Sequence, residues 1–361
     1  MTDQTVLKIE QDDSSHPRKA LIDNIKICEE RRIDLSIVEE IFGSEGVDVI
    51  HRWSSLTAAA ASCGDAAASN ITEKVDKLLT NHILYDDKLI MIFDRLLDGE
   101  SDEFNHAFNE VYSVDGAFED SEYIADSGYD VGNDVSIYCF QIIREISERK
   151  ELTESDLGEL ASVLDKYNRV IGYRPVKVTC YDAVIVDTKN NRVILQLDLG
   201  SIVLANAVDK FFHKLITSIN KAFDVASVTS CRLPEKVQFE NLYTVIQKFY
   251  DNDEGEVTSA SFSTSKNNHH ETLRDRARDI RKAEYHLRGK AAEEALGGKI
   301  RPYRISKRFE RVTNKWPQVY AGIHYRYFNK PGLKSLYEAH IFDIKSYKDY
   351  SFIIDKILAN R

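Results

Sequence analysis

A chain of 361 residues has room for two modest domains, since compact domains usually run about 100 to 200 residues. Its 43% hydrophobic content is ordinary for a globular protein and excludes collagen-like, low-complexity and wholly disordered chains. The longest uncharged stretch near the start, Trp53–Gly64, falls far short of the roughly 20 apolar residues of a membrane span, and Asp3, Glu10, Asp12 and Asp13 exclude a signal peptide.

The net charge of −11 conceals a division. Residues 1–165 hold 37 Asp/Glu against 14 Lys/Arg, a net of −23, while residues 166–361 hold 22 against 34, a net of +12. A split of this size speaks about partners rather than about fold. The five cysteines (Cys28, Cys63, Cys139, Cys180 and Cys231) are odd in number and form no C-x-x-C pair. They read as buried thiols in a reducing compartment, so a cytoplasmic location without a membrane is expected.

The N-terminal part reads as helical. Ser14 or Ser15 ahead of Pro17 suits a helix start, because proline has no amide hydrogen to leave unpaired in the first turn. Leu21, Ile22, Ile25 and Cys28 follow at helical spacing. Asp34 is placed to cap a second helix bearing Ile37, Val38 and Ile41, and a further helix covers Val47–Ala61. Asn70 with Glu73 has capping-box spacing and opens a segment carrying Val75, Leu78, Leu79 and Ile83. Another apolar set, Leu89 to Leu97, stops at Gly99.

From Leu96 to Ile143 there are twelve Asp/Glu and no Lys or Arg, with aromatics from Phe104 to Tyr129 interleaved. This is either a solvated acidic surface or a docking surface for a basic partner, such as the chain's own C-terminal part. Asp126, Asp130 and Asp134 lack the EF-hand order, so no calcium site is expected. Helices are expected at Asp134–Lys150 and behind a cap formed by Thr153 and Asp156.

Near Gly172–Pro175 the pattern changes. Val176–Asp187 and Arg192–Leu199 are apolar β-type runs joined by the turn Thr188-Lys-Asn-Asn191. An amphipathic helix follows at Ser201–Phe223, then a short strand at Val225–Cys231, a helix at Glu235–Tyr250 and an alternating strand at Glu256–Ser265. A long helix is expected at Asn268–Leu296, strands at Ile300–Val312, Val319–Asn329 and Tyr337–Ser346, and a closing helix at Tyr350–Ala359. The fold class is therefore α+β: an acidic helical domain, residues 1–170, followed by a basic, mostly antiparallel mixed α+β domain, residues 171–361.

The Asn268 helix carries the clearest chemical signal. His270, Arg274, Arg278, Arg281, Tyr285 and Arg288 would line one face over about 27 Å. Like charges so spaced repel by a few tenths of a kcal/mol per pair, which is easier to understand if the row meets phosphates. At its start, Ser265, Lys266, His269 and His270 would offer an anion the free N–H groups of a helix N-terminus. Residues 266–334 continue in kind, with 18 Lys/Arg against 7 Asp/Glu. Arg301, Tyr303 and Ile305 should share one face of a strand and Arg304 and Ser306 the other, with Arg308 further along. Arginine favours bidentate phosphate contact, and aromatics beside it on a sheet can stack unpaired bases.

Catalytic signals are thin. Asp343-Ile-Lys345 has the form of a metal-dependent nuclease strand, with Glu338 or Asp182 as the upstream acid and His269 and His270 nearby, but Asp187-x-Lys189 has the same form. His270-x-Thr272 is half of a two-histidine phosphodiesterase signature whose second copy is missing. P-loop, dinucleotide, nucleophile-elbow and H-E-x-x-H motifs are absent. The leading expectation is a non-enzymatic protein without cofactor or metal, whose basic domain binds DNA or RNA and whose acidic domain meets a partner or masks the basic one. A Mg²⁺- or Mn²⁺-dependent nuclease or phosphodiesterase is the enzymatic alternative. A third reading is an interaction protein whose acidic and basic surfaces pair within or between chains. By analogy alone, such a chain also suits antiviral defence.

Overall fold

The structure, a computed structural model, describes residues 17–361 apart from 95, 97–98, 115, 119–120, 133, 164–165, 168, 229–230, 267–268 and 312–315. The expected helix start at Ser14 or Ser15 and the Asn268 cap lie outside the described residues.

The chain is α+β. It opens with α1 (Pro17–Glu30), α2 (Leu35–Ser44), α3 (Trp53–Ser62) and α4 (Asp65–Tyr85). Their apolar stripes close a core of their own from Leu21, Ile25, Phe42, Leu56, Val75 and Leu79. Asp34 caps α2, accepting the Ser36 amide at 3.0 Å. Asn70 caps nothing: it lies within α4, its amide on Glu45 at 3.0 Å.

Among the described residues the rest is built on ten strands: β1 (Lys88–Phe93), β2 (Ile124–Asp130), β3 (Val135–Glu151), β4 (Ile171–Asp187), β5 (Arg192–Asp198), β6 (Glu256–Thr264), β7 (His270–Arg274), β8 (Ile300–Arg308), β9 (Gln318–Gly322) and β10 (Glu338–Phe342). They form one sheet in the order β2-β3-β4-β5-β1-β10-β9-β8-β6-β7, with every neighbouring pair antiparallel. The described helices around it are α5 (Glu100–Ser113), α6 (Glu154–Leu157), α7 (Val208–Val225), α8 (Tyr243–Asp251), α9 (Glu284–Ala295), α10 (Tyr325–Phe328) and α11 (Tyr347–Ala359).

Several expectations change here. Leu89–Leu97 contributes β1, and Asp134–Lys150 is the strand β3 rather than a helix. Ile137 and Cys139 of β3 enter one core while Tyr138, Phe140 and Ile142 enter the other. A run buried on both faces has no period by which strand and helix can be told apart. The division expected at 170/171 falls in the connection between β3 and β4, which pair along 17 residues. The all-helical part is Pro17–Tyr85. Of the strand expected at Val225–Cys231 the described residues show none: α7 extends through Val225 and those after it are turn and coil. The expected Glu235–Tyr250 helix is reduced to a short 3-10 turn at Lys236–Gln238 and α8. The strand expected to reach Asn329 stops at Gly322 and turns into α10. No helix of the described residues is long and apolar enough to cross a membrane, and the five cysteines are buried and unpaired.

The two sheet faces are covered unequally. On one, α8 and α11 supply Val245, Ile246, Phe249, Ile353 and Ile357 to a core reaching from β3 to β6. On the other, Phe104 and Phe108 of α5 and Phe212, Leu215 and Phe223 of α7 share a core with β1, β3, β4 and β5.

Where the α1–α4 bundle meets the sheet, Asp198 is wholly buried. Its carboxylate takes Arg31 Nη2 at 2.8 and 3.0 Å, the Lys88 ammonium and the Tyr181 amide at 2.9 Å. Burial alone would push this carboxyl up, but Arg31 and Lys88 outweigh it and hold it below the ordinary carboxylate range. Beside it Asp182 accepts the Asp198 amide at 2.8 Å, the Tyr123 hydroxyl at 3.0 Å and the Arg144 guanidinium. Arg31 Nε donates to His82 Nδ1 at 3.3 Å, which requires that nitrogen to be unprotonated. Burial, then Arg31 and Lys88, pull His82 down to about 3.

Breaking a buried pair leaves a charge without a partner, so Arg31→Met should lower the unfolding free energy by about 3–5 kcal/mol in urea titrations. His82 gives a pH signature. The unfolded chain takes up a proton at His82 below pH 6.5 and the folded chain does not until about 3, so stability falls as pH drops through this window, by up to about 1.4 kcal/mol per unit. Buried Asp86, pushed up to about 6, works in the opposite direction between about pH 4 and 6. The difference between wild type and His82→Gln cancels the Asp86 contribution, and should narrow steadily from pH 6.5 to 4.5.

Candidate nucleic-acid interface

The arginine row expected on a helix does not exist as one face. His270–Arg274 is the edge strand β7, and only Glu284–Ala295 is helical as α9. Two aspartates explain the difference. Asp275 Oδ1 accepts the amides of Ala277 (2.8 Å) and Arg278 (3.2 Å), and Asp279 Oδ1 accepts that of Arg281 (3.0 Å). Such local bonds take the N–H groups a helix would need.

The residues of that row separate. Arg281 is structural: it pairs with Asp279 at 2.8 Å and donates to the carbonyls of Tyr250, Asn252 and Gly255 at the C-terminal end of α8. Lys307, wholly buried, donates to Phe249 and Asn252 in the same place, and burial followed by Arg281 pulls it down to about 8. Tyr285 and Arg288 are exposed on α9, with Arg288 paired to Glu284. Arg278 stays exposed in the turn.

The expected anion site is also occupied from within. The Ser265 amide bonds the Lys299 carbonyl at 3.0 Å, the Lys266 amide the Glu293 carboxylate at 2.6 Å, and the His269 amide Thr264 Oγ1 at 3.0 Å. Behind these strands lies a groove of about 650 Å³ lined by Phe262, His269, Glu271, Tyr285, His286 and Glu293, of mixed charge.

The register brings a different set together. Directly paired residues of antiparallel strands project from the same side. One row runs Arg274–Ser259–Ser306–Tyr320–His340, a second Thr272–Ser261–Arg304–Gly322, a third His270–Ser263–Arg301, and a fourth Glu256–Arg308–Gln318–Phe342. Arg301 and Arg304 share this face, contrary to simple alternation, because Tyr303 is the extra residue of a β-bulge between the pairs Ser261/Arg304 and Phe262/Pro302. The opposite side carries Val257, Ala260, Ile305, Val319, Ala321 and Ile341 into the core under α8 and α11. The polar side receives neither α5 nor α7. Arg274, Thr272 and Tyr320 (37% exposed) are open, and Arg304, Ser306 and Gln318 are half-buried.

The outcome is a polar trough floored by Ser259, Ser306 and Gly322, which are half-buried, and by Ser261, which is buried. Arg304 crosses it in a fixed pose. Its stem lies over Gly322, where a Cβ would come within 2.6 Å of Arg304 Cγ and 3.0 Å of its Cα, and its Nε donates to the Ile323 carbonyl at 3.1 Å. No carboxylate among the described residues pairs with Arg304, Arg301 or Arg274. Arg308, by contrast, is held by Glu256 at 2.6 Å and lies over Trp316 at 4.6 Å. At one end α10 closes the trough with rings: Tyr325 lies 3.5 Å from the His270 centroid, and Phe328 packs on Tyr303 at 5.1 Å and under Arg301 at 5.6 Å. His270 Nδ1 lies 3.3 Å from both the Phe262 carbonyl and the Tyr303 hydroxyl, while His270 Nε2 and Arg301 Nε are enclosed without a hydrogen-bond partner among the described residues.

The nuclease candidates are not brought together. Asp343 follows β10 and accepts Gln318 Nε2 at 2.6 Å, and Lys345 is exposed beyond it. His270 is on β7, four strand spacings or about 19 Å away across the sheet. No group of three His, Cys, Asp or Glu among the described residues is arranged to hold a metal ion. Sequence reasoning missed Gly322, Tyr320 and the serine floor; the S-x-S-x-S alternation of Ser259–Ser263 was its one available signal. In comparisons with known proteins, no family model and no curated protein sequence matches this chain, so geometry carries the functional reading.

Gly322→Ala should cost about 1–3 kcal/mol, because the added methyl meets a neighbouring backbone that cannot yield freely. It should also free Arg304 from Ile323, seen in ¹⁵N NMR as loss of the slow solvent exchange of the Arg304 Nε–H.

Proposed function

We propose that the polar sheet face of the C-terminal half binds nucleic acid through its phosphates. The observation that carries this reading is Arg304, oriented by Gly322 and Ile323 with its terminal nitrogens uncommitted, between two more arginines without carboxylate partners. A guanidinium fixed in place loses little entropy on meeting a phosphate and can engage it with two parallel bonds. Basic residues gathered without compensating acids are the electrostatic footprint of a polyanion site.

The acidic N-terminal part takes a separate role in this proposal, that of a partner-docking surface. Its strands β2 and β3 stand nine and eight strand spacings from β7, about 43 and 38 Å along the sheet, which disfavours self-masking. The same separation suits a second reading, head-to-tail pairing of the basic face of one copy with the acidic edge of another.

Fluorescence anisotropy with labelled oligonucleotides from 50 to 300 mM salt tests the proposal. Affinity should fall steeply with salt, and Arg301→Gln with Arg304→Gln should flatten the logarithmic slope by about 1.5 to 2 units. Failure of the whole protein to hold any oligonucleotide at 50 mM salt would refute it. Concentration-dependent dimers that dissociate in salt, with no nucleic acid retained, would favour the second reading.

A further inference from the structure

We infer, resting on the reading above, that the occupant of the trough is a single strand whose unpaired bases lie flat on the sheet, and not a duplex. The floor decides this. Ser259 and Ser306 are small and half-buried beside exposed Tyr320, while Ser261 is buried and Gly322 lies under the Arg304 stem, so the central row is a shallow bed on which a planar ring can rest. Around that bed stand rings and cations: Tyr320 is in the central row beside His340, Arg304 lies 5.9 Å from the Tyr303 ring, and the α10 rings close one end. A duplex offers its bases only through its grooves, and reading them takes a helix or ribbon that projects into a groove. The rows that make this face lie within the sheet itself, and α9 lies behind it, with His286 against Tyr250 and Phe262. A single strand meets no such obstacle, because its bases can turn out and stack on aromatic side chains while its phosphates follow the arginines. The width from β7 to β10, about 19 Å, suits the smaller single-strand sites of about four nucleotides.

The test uses the full chain and four labelled probes of equal length: single-stranded DNA, the matching RNA, the DNA duplex, and an abasic deoxyribose-phosphate oligomer. The expected result is at least tenfold tighter binding of the DNA or RNA single strand than of the duplex and of the abasic oligomer. Tyr320→Leu, which keeps an apolar side chain in the row, should weaken the base-bearing strand about tenfold and leave the abasic oligomer unchanged, with circular dichroism confirming the fold. Equal or tighter binding of the duplex, or abasic binding equal to that of the single strand, would overturn the inference while leaving the phosphate reading intact. Binding of none of the four would remove the phosphate reading itself.

Discussion

A carboxylate cannot be buried alone, and Asp198 is buried completely. The two cations that make it tolerable come from separate parts of the chain: Arg31 from the turn after α1, and Lys88 from the first residue of β1. The α1–α4 bundle and the sheet therefore fit in one arrangement only, the one that delivers both charges to the end of β5. The same corner is rigid on its far side. Gly200, the second residue past β5, has no room for a side chain between the His340 ring and the Leu89 amide, at 2.8 and 2.9 Å from a would-be Cβ. Its neighbour Ser201 donates to Asp87, which His340 also meets at 2.7 Å. One charged centre and one tight turn thus set the relation of the bundle, β5, β1 and β10.

The trough follows from the unequal helix cover. A sheet face facing water must be polar, and an antiparallel sheet allows this by alternation. In the N-terminal half the second face is closed by α5 and α7, and its strands read as continuous apolar runs. In the C-terminal half no such pair of helices follows, so the same face becomes serine, arginine and tyrosine. The bulge at Tyr303 then moves Arg301 onto the side of Arg304, which a regular strand would have prevented.

Much of this was legible in the sequence. The α+β class, α1 with Pro17, the Asp34 cap, the β4–β5 hairpin and the basic character of 266–334 all follow from patterns a few residues long. The errors share one cause. β3 looked helical because burial on both faces erased its period, and the 268–296 segment looked helical because Leu273, Ala277, Ile280 and Leu287 fell at helical steps by coincidence. In the fold, Leu273 packs from a strand, Ile280 from a 3-10 turn, and Leu287 is exposed on α9. The aspartates between them decided the matter through bonds to their own backbone. The candidate face was invisible for a further reason: it depends on which strands are neighbours, and no local pattern states that β8 lies between β6 and β9.

The position of β1 carries a consequence for how the chain comes into being. Its two hydrogen-bonding edges are filled by β5, about a hundred residues later, and by β10, some 250 residues later. During synthesis an apolar strand must therefore wait with one edge open until β10 emerges. Pairings so distant in sequence slow folding and expose sticky edges in the interval. The bundle made before it, whose Arg31 is already in place for Asp198, gives the nascent chain a folded anchor during that wait.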